Sequence, residues 1–114
     1  NIKYIGFVDE TILPKYMRVS DVFVLPSKDL EGLGIVLLES MALNVPVVVS
    51  NKSGGAEEFI RFIDEKLIFD FKNINYSLNE TIKYACSIKR DYSQIVKQYD
   101  RIKMTKNIYE ELIK

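Results

Sequence analysis

The sequence predicts an α/β domain in which helices flank a parallel, Rossmann-like sheet. Short runs of β-branched and large apolar residues recur along the 114 residues, and segments with helical spacing separate them. Strands that alternate with helices favour a parallel sheet over a meander. The predicted strands are Ile2–Tyr4, Val22–Leu25, Val45–Val49 and Lys66–Phe69.

The first helix is predicted between the first two strands. Asp9 or Glu10 is expected to open it, because helix N-termini favour acidic residues. Pro14 is tolerable only near the initial turn, since its ring would break the interior of a helix. The helix is predicted to end near Ser20.

A glycine turn and an asparagine bound the second helix. Gly32 and Gly34 are predicted to open it, and Asn44 to close it. Asparagine is among the few residues that tolerate a left-handed backbone. Pro46 then prevents the helix from continuing into the next strand.

Later helices follow the glycine-containing loop of residues 51–55. The last of them has Ser93 in the place of an N-cap, and its apolar residues recur on one face. The helices are predicted from Glu57 or Glu58 to about Ile63, at Leu78–Lys89 and at Ser93–Lys114.

Composition narrows the functional classes. Sixteen basic and sixteen acidic residues cancel, so net charge gives no reason to propose nucleic acid or an extensive anionic membrane contact. The sequence shows no signal peptide and no apolar run of about 18 residues, the length a membrane span needs. The single cysteine, Cys86, excludes an internal disulfide and fits a reducing cytosol. Histidine is absent, so this chain supplies no imidazole base.

The segment from Leu25 to Val49 is the most informative for function. Its carboxylates Glu31 and Glu39 stand eight residues apart around a glycine turn. The amides that open a helix after such a turn have no intrahelical partners, and they point to an anion site. If the stretch were wholly helical, the carboxylates would be about 12 Å apart along the axis and within about 80° around it. This layout suits a diphosphate with a hydroxylated group on each side, as in a nucleotide-sugar.

Further motifs surround this pair of carboxylates in a fixed order. They are Ile5-Gly6-Phe7-Val8, the run from Tyr16 to Phe23, Val24-Leu25-Pro26-Ser27, the run from Glu31 to Ala42, Pro46-Val47-Val48-Val49-Ser50, the run from Gly54 to Glu58 and Arg90-Asp91-Tyr92-Ser93. Together they resemble the signature of the group 1 (family 4) glycosyltransferases, over nearly the whole chain. The resemblance implies a retaining, metal-independent enzyme of two Rossmann-like domains, the GT-B fold, with this chain in the C-terminal, donor-binding half.

The resemblance also implies roles for individual residues. Glu31 is implied as the catalytic carboxylate beside the donor sugar, near the developing positive charge. Glu39 is implied to accept hydrogen bonds from the ribose hydroxyls. The full set of implied donor-binding residues is Ser27, Gly32, Leu33, Gly34, Ile35, Val36, Glu39, Gly55 and Val8, and no metal ligand is implied.

Simpler structural interpretations of the same residues stay open. Glu31 could be a carboxylate that the helix dipole stabilises by less than about 1 kcal/mol. Glu39 could form a salt bridge with a neighbouring Lys or Arg. Gly54 and Gly55 could serve only as a turn and a helix cap.

The chain begins at Asn1 rather than at a methionine, so residues 1–114 are expected to form a single, truncated nucleotide-sugar-binding domain. Residues 93–114 are expected to be its C-terminal packing helix. Family donor domains usually carry two strands before the one predicted at Ile2–Tyr4. Without those strands, the isolated fragment is expected to be inactive.

The resemblance implies partners for the full-length enzyme as well. The donor would be a nucleotide-diphosphate sugar of the UDP or GDP type, with no cofactor, and the acceptor a glycan or glycolipid bound by an N-terminal domain. The expected location is the cytoplasm, with peripheral association at the inner face of the cell membrane left open. Two alternatives are a non-catalytic nucleotide-sugar-binding module and a nucleotide-sugar epimerase of the same fold.

Overall fold

The computed structural model describes residues 2–28 and 35–99, and these residues have the predicted parallel α/β architecture. The strands are β1 (Phe23–Leu25), β2 (Val47–Ser50) and β3 (Ile68–Phe69). The helices are α1 (Leu13–Arg18), α2 (Ile35–Ala42), α3 (Gly55–Ile63), α4 (Ile74–Ser87) and α5 (residues 92–99), with 3₁₀ turns at Glu65–Leu67 and Phe71–Asn73.

Strand β2 lies in the centre of the sheet, between β1 and β3, and both pairings are parallel. Val24 pairs with Val48 in one ladder, and Val49 pairs with Ile68 in the other. All residues of β2 are buried, because helices cover both faces of a central parallel strand. This burial explains why β2 is a continuous run of valines rather than an alternating pattern.

The core joins the sheet to four of the helices. Helix α2 contributes a buried stripe at a spacing of three and four residues, which is the spacing of one helix face. The fully or nearly fully buried apolar residues of the core are Leu37, Met41, Val47, Val48, Val49, Ala56, Ile60, Leu67, Phe69, Ala85, Tyr92 and Val96.

Asn44 closes the turn after α2, as the sequence predicts. Its φ is +62°, in the left-handed region that few residues other than glycine adopt. Its side chain adds a tertiary contact, because Oδ1 accepts a 2.9 Å hydrogen bond from the amide of Tyr92 at the start of α5. The asparagine therefore ends one helix and helps to fix the position of another.

The predicted strand at Ile2–Tyr4 is wrong. Residues 2–9 are irregular, and the side chains of Ile2 and Tyr4 are fully exposed. A β-strand needs a neighbour for its backbone hydrogen bonds. Among the described residues the sheet consists of β1, β2 and β3, and residues 2–4 do not pair with any of them.

Helix α1 begins later than predicted. Asp9 does cap backbone amides, but its Oδ1 accepts from the amide of Thr11 at 2.9 Å and so forms a separate turn. The carbonyl of Asp9 also accepts from the amides of Ile12 and Leu13, both at 2.9 Å. The helix starts after this turn, and Pro14 consequently falls in its first turn, where proline is tolerated.

Other boundaries shift by a few residues for identifiable reasons. Strand β2 starts after Pro46, which has no amide for the ladder, although its carbonyl accepts from Phe23 at 2.7 Å. Helix α4 starts four residues before Leu78, because Asp70 caps the preceding 3₁₀ turn through the amide of Lys72 at 3.0 Å. Helix α3 starts at Gly55, before the predicted Glu57.

The predicted N-cap of the last helix is also wrong. Ser93 lies inside α5, and Asp91 is the residue that accepts from the amide of Gln94, at 3.2 Å. The Ser93 hydroxyl donates to the same Asp91 oxygen. Residues 92–99 are helical as predicted, whereas the rest of the helix predicted to Lys114 lies outside the described residues. Within the described ranges, no helix has the length and hydropathy needed to cross a membrane.

Candidate functional site

The carboxyl ends of the three strands lie along one edge of the sheet, because all the pairings are parallel. Strand β1 leads into Ser27, β2 ends at Ser50, and β3 leads into Asp70. Open parallel sheets bind ligands outside this edge. We call this region, residues 26–28, 50–55 and 70, the carboxyl edge.

Ser50 connects the first two loops of the carboxyl edge. The backbone ladder between β1 and β2 ends at the pair Leu25 and Val49. Beyond it, the Ser50 hydroxyl donates a hydrogen bond to the carbonyl of Ser27. The same hydroxyl accepts from the amide of Lys52 at 3.3 Å, so its donor and acceptor capacities are both used.

Ser53 continues this arrangement toward α3. Its hydroxyl donates to the carbonyl of Ser50 at 2.7 Å, and both serines are fully buried. Gly54 follows with a φ of +68°, which L side chains rarely adopt. Helix α3 begins at Gly55, so this predicted site residue lies at the carboxyl edge with the positive end of a helix dipole.

An amide and a carboxylate connect the second and third loops. The side chain of Asn51 donates from Nδ2 to Asp70 Oδ1 at 3.2 Å and accepts from the amide of Phe71 at 3.0 Å. The amide of Asn51 also donates to the carbonyl of Phe69 at 2.9 Å. Side chains thus bridge all three strand ends.

Several predicted site residues lie outside the described residues. Glu31, Gly32, Leu33 and Gly34 fall between the described ranges, so their predicted roles stay predictions. Ile35 and Val36 belong to the described part of α2, and their side chains are 75% and 42% exposed.

Glu39 lies on the outer face of α2 and is exposed. The buried stripe of the helix passes through Leu37, Ser40 and Met41, which leaves Glu39 on the solvent side. Its side chain borders an open cleft of about 250 Å³ that also contacts Met17 of α1. No Lys or Arg nitrogen of residues 2–28 and 35–99 forms a salt bridge with it, so the simpler interpretation gains no support there.

Ser27 is half-buried at the end of β1 and belongs to the carboxyl edge. Val8 is half-buried within the irregular segment of residues 2–9. In the part of the chain that the structure describes, hydrogen bonds link Ser27 to the loop that precedes Gly55, but none links Val8 to another predicted site residue.

Sequence reasoning missed the residues that organise the carboxyl edge. Ser50, Asn51 and Ser53 follow directly after the buried valines of β2, and small polar residues at that place were the available signal. Two exposed cations were also missed: Lys28 and Lys52 lie on the loops after β1 and β2. The edge also holds the exposed carboxylate of Asp70, so the two lysines leave it with a net charge of +1, which favours an anionic ligand.

A second polar cluster lies on the opposite side of the sheet, before β3. Asp64 Oδ2 accepts from Arg90 Nη2 at 3.0 Å and from the hydroxyl of Tyr84. Burial raises the pKa of Asp64, but the hydrogen bonds from Tyr84, the amide of Lys66 and Arg90 together outweigh this effect and hold the pKa below its ordinary value. Because the cluster is remote from the carboxyl edge, we assign it to stability.

The parallel sheet, its covering helices and its polar carboxyl edge place the chain in the Rossmann-like class of α/β domains. The chain matches the family model described as "Glycosyl transferases group 1" over residues 1–103. It therefore belongs to the group 1 glycosyltransferase family, as the sequence motifs predict.

Relatives support this membership. The chain is 36% identical over 81 residues to "GDP-mannose-dependent alpha-(1-6)-phosphatidylinositol monomannoside mannosyltransferase" of Mycobacterium tuberculosis, covering 66% of this chain and 21% of the relative. It is 36% identical over 94 residues to "O-antigen biosynthesis glycosyltransferase WclY" of Escherichia coli, covering 82% and 24%. "Spore coat protein SA" of Bacillus subtilis is 34% identical over 73 residues, covering 64% and 19%.

The chain spans about a fifth of the length of these curated relatives. No solved structure matches it with significance.

Proposed function

We propose that this chain is the donor-binding part of a retaining glycosyltransferase that transfers a hexose from a nucleotide-diphosphate sugar to a glycan or glycolipid. The observation that carries the proposal is the carboxyl edge of a group 1 family sheet, where the Ser50 hydroxyl bridges two loops that lead to predicted donor-binding residues. Parallel sheets of this class bind nucleotides at that edge.

The carboxyl edge has the chemistry that a diphosphate requires. Free amides at the start of α3, at Gly55, and the exposed ammonium groups of Lys28 and Lys52 all favour negative charge. The amides of residues 33–36 are proposed as further donors to sugar and phosphate oxygens. These groups bind the diphosphate of the donor without a metal ion.

Glu39 is proposed to bind the ribose of the donor. A carboxylate is an acceptor for two vicinal hydroxyls, and this one is exposed. Since no described Lys or Arg pairs with it, its acceptor capacity is available for a ligand.

Glu31 is proposed as the catalytic carboxylate. Its negative charge would stabilise the positive charge that develops at the anomeric carbon as the bond to the diphosphate breaks. The acceptor oxygen then attacks from the face that the diphosphate leaves, and the departing phosphate accepts its proton, which retains the anomeric configuration. Glu31 forms no covalent bond in this mechanism.

The names of the relatives suggest which substrates to test first. The M. tuberculosis relative is named as dependent on GDP-mannose, and the E. coli relative is named for O-antigen biosynthesis. GDP-mannose is therefore the first donor to test, with UDP-sugars second. The acceptor-binding domain of the complete enzyme would lie outside these residues. The complete enzyme would act in the cytoplasm, at the inner face of the membrane that holds the acceptor.

The test is product analysis with the complete enzyme and a panel of GDP- and UDP-hexoses. We expect a glycosidic product whose anomeric configuration matches that of the donor, and we expect Glu31→Gln to lower kcat by roughly 10²–10³-fold, the cost of losing one electrostatic group. Inversion of configuration, or full activity in Glu31→Gln, would contradict the proposal. Donor binding without transfer would favour the non-catalytic module, and isomerised donor without acceptor would favour the epimerase.

A further inference from the structure

We propose that Ser50 is a positioning residue that fixes the two loops of the donor site relative to each other. The inference rests on the proposed function. The buried hydroxyl of Ser50 holds the loop that leads to Glu31 against the loop that leads to Gly55. It need not touch the donor to do so.

The bond from Ser50 lies beyond the end of the backbone ladder between β1 and β2. Strands β1 and β2 are paired as far as Leu25 and Val49. Beyond that point β1 leads toward α2 and β2 leads toward α3. The bond from the Ser50 hydroxyl to the carbonyl of Ser27 links them two residues past the last β1 pair. It therefore joins the two loops at a point beyond the backbone pairing.

The hydroxyl of Ser50 uses its donor and one of its acceptor positions. Ser50 is fully buried, and its oxygen donates to Ser27 while it accepts from the amide of Lys52. Ser53 holds the Ser50 carbonyl from the other side. Alanine, which has a hydrogen in place of the hydroxyl, would leave the carbonyl of Ser27 and the amide of Lys52 without this partner at the junction of the loops.

The rate of group transfer is sensitive to the positions of the catalytic and binding groups on the two loops. Glu31 follows Ser27 by four residues, and Gly55 follows Ser50 by five. A displacement of about 1 Å in a catalytic arrangement can reduce the rate by about 10²-fold. Loss of the hydroxyl should therefore lower the rate of the chemical step more than it weakens the binding of the donor.

The experiment compares four forms of the complete enzyme: wild type, Ser50→Ala, Ser50→Thr and Ser40→Ala. Threonine keeps the hydroxyl of Ser50. Ser40 is the matched control, because it is equally buried and its Oγ has no hydrogen-bond partner within the described ranges. We expect kcat to fall by roughly 10–100-fold in Ser50→Ala, with a smaller change in KM, and to recover in Ser50→Thr. Ser40→Ala should stay within about twofold of wild type, as no bond is lost.

Amide hydrogen exchange gives a second readout that does not depend on turnover. In Ser50→Ala, exchange should rise in residues 27–28 and 51–55 and stay unchanged in α4. Unchanged exchange in those loops would overturn the inference, as would wild-type kcat in Ser50→Ala. If wild type transfers no sugar from any donor, the proposed function is wrong, and the exchange result then separately decides whether Ser50 holds the loops together. If Ser50→Ala does not fold, the same measurements are made on Ser50→Cys, whose thiol is a weaker donor.

Discussion

The guanidinium of Arg90, in the turn that joins α4 to α5, lies 3.0 Å from the carboxylate of Asp64, which follows α3. The side chains are 27% and 13% exposed, so the pair is more protected from solvent than a surface salt bridge. Asp64 also caps the 3₁₀ turn before β3 through the amide of Lys66. One carboxylate therefore connects the start of the last strand to the C-terminal helices.

This pair predicts a loss of stability in acid. The pKa of Asp64 lies below its ordinary value of 3.8, so its contribution is fully present above that value and is lost as the pH falls through the folded pKa. We expect Asp64→Asn to lower the free energy of unfolding by about 2 kcal/mol at neutral pH. Urea titrations at pH 7 and pH 3 should show a smaller difference between mutant and wild type at pH 3. An equal difference at both values would contradict this role.

The left-handed turn at Asn44 predicts a graded effect of two substitutions. Asn44→Gly keeps the accessible backbone but loses the hydrogen bond to Tyr92, and it should cost about 1 kcal/mol. Asn44→Ala keeps a Cβ in a left-handed conformation but also loses the short polar side chain that lets asparagine tolerate it, which adds about 1 kcal/mol. Urea unfolding should therefore rank wild type above the glycine variant and the glycine variant above alanine. Equal stabilities of the two variants would show that backbone conformation does not matter here.

Two residues of α3 predict opposite outcomes for the same kind of truncation. Ile60 is fully buried, whereas the side chain of Phe62 is 94% exposed. Ile60→Ala should destabilise by about 2–4 kcal/mol, because it leaves a cavity in the core. Phe62→Ala should change stability by less than about 0.5 kcal/mol, as surface substitutions do. A large loss in Phe62→Ala would indicate that another part of the enzyme covers this side chain.

Local patterns predicted the elements whose structure depends on local chemistry. The valine run of β2 predicts a buried strand, and Asn44 predicts a left-handed helix end. The strand predicted at Ile2–Tyr4 failed because strand formation requires a partner that its own residues do not specify. The cap at Asp91 was missed because Ser93 is an equally suitable capping residue two positions away.

The family motifs of the candidate site were recognisable in the sequence, but the contact between its loops was not. The motifs around Glu39 and Gly55 identified the family correctly. Gly55 lies at the carboxyl edge, where α3 begins, and its role in donor binding stays a prediction. The bond from Ser50 to Ser27 joins residues 23 positions apart, and it exists only after β1 and β2 have paired. Sequence spacing alone contains no information on such a bond.

The proposed role of Glu39 predicts that its substitution weakens donor binding and leaves the rate of the chemical step nearly unchanged. Glu39→Gln should raise the KM for the donor roughly tenfold with little change in kcat, the loss expected for a charge-assisted bond to a ribose hydroxyl. Glu80→Gln is the matched control, because Glu80 is an exposed glutamate on α4, away from the carboxyl edge. Steady-state kinetics of the two variants decide the matter, and equal KM values would exclude Glu39 as the ribose ligand.

Hydrogen exchange of the complete enzyme, with and without a donor that the enzyme uses as a substrate, tests the location of the donor site most directly. We expect the donor to slow exchange in the loops at residues 26–36 and 50–56, and to leave residues 64–66 and 90–92 at the opposite side unchanged. Protection confined to the opposite side, or no protection of either carboxyl-edge loop under saturating donor, would contradict the account.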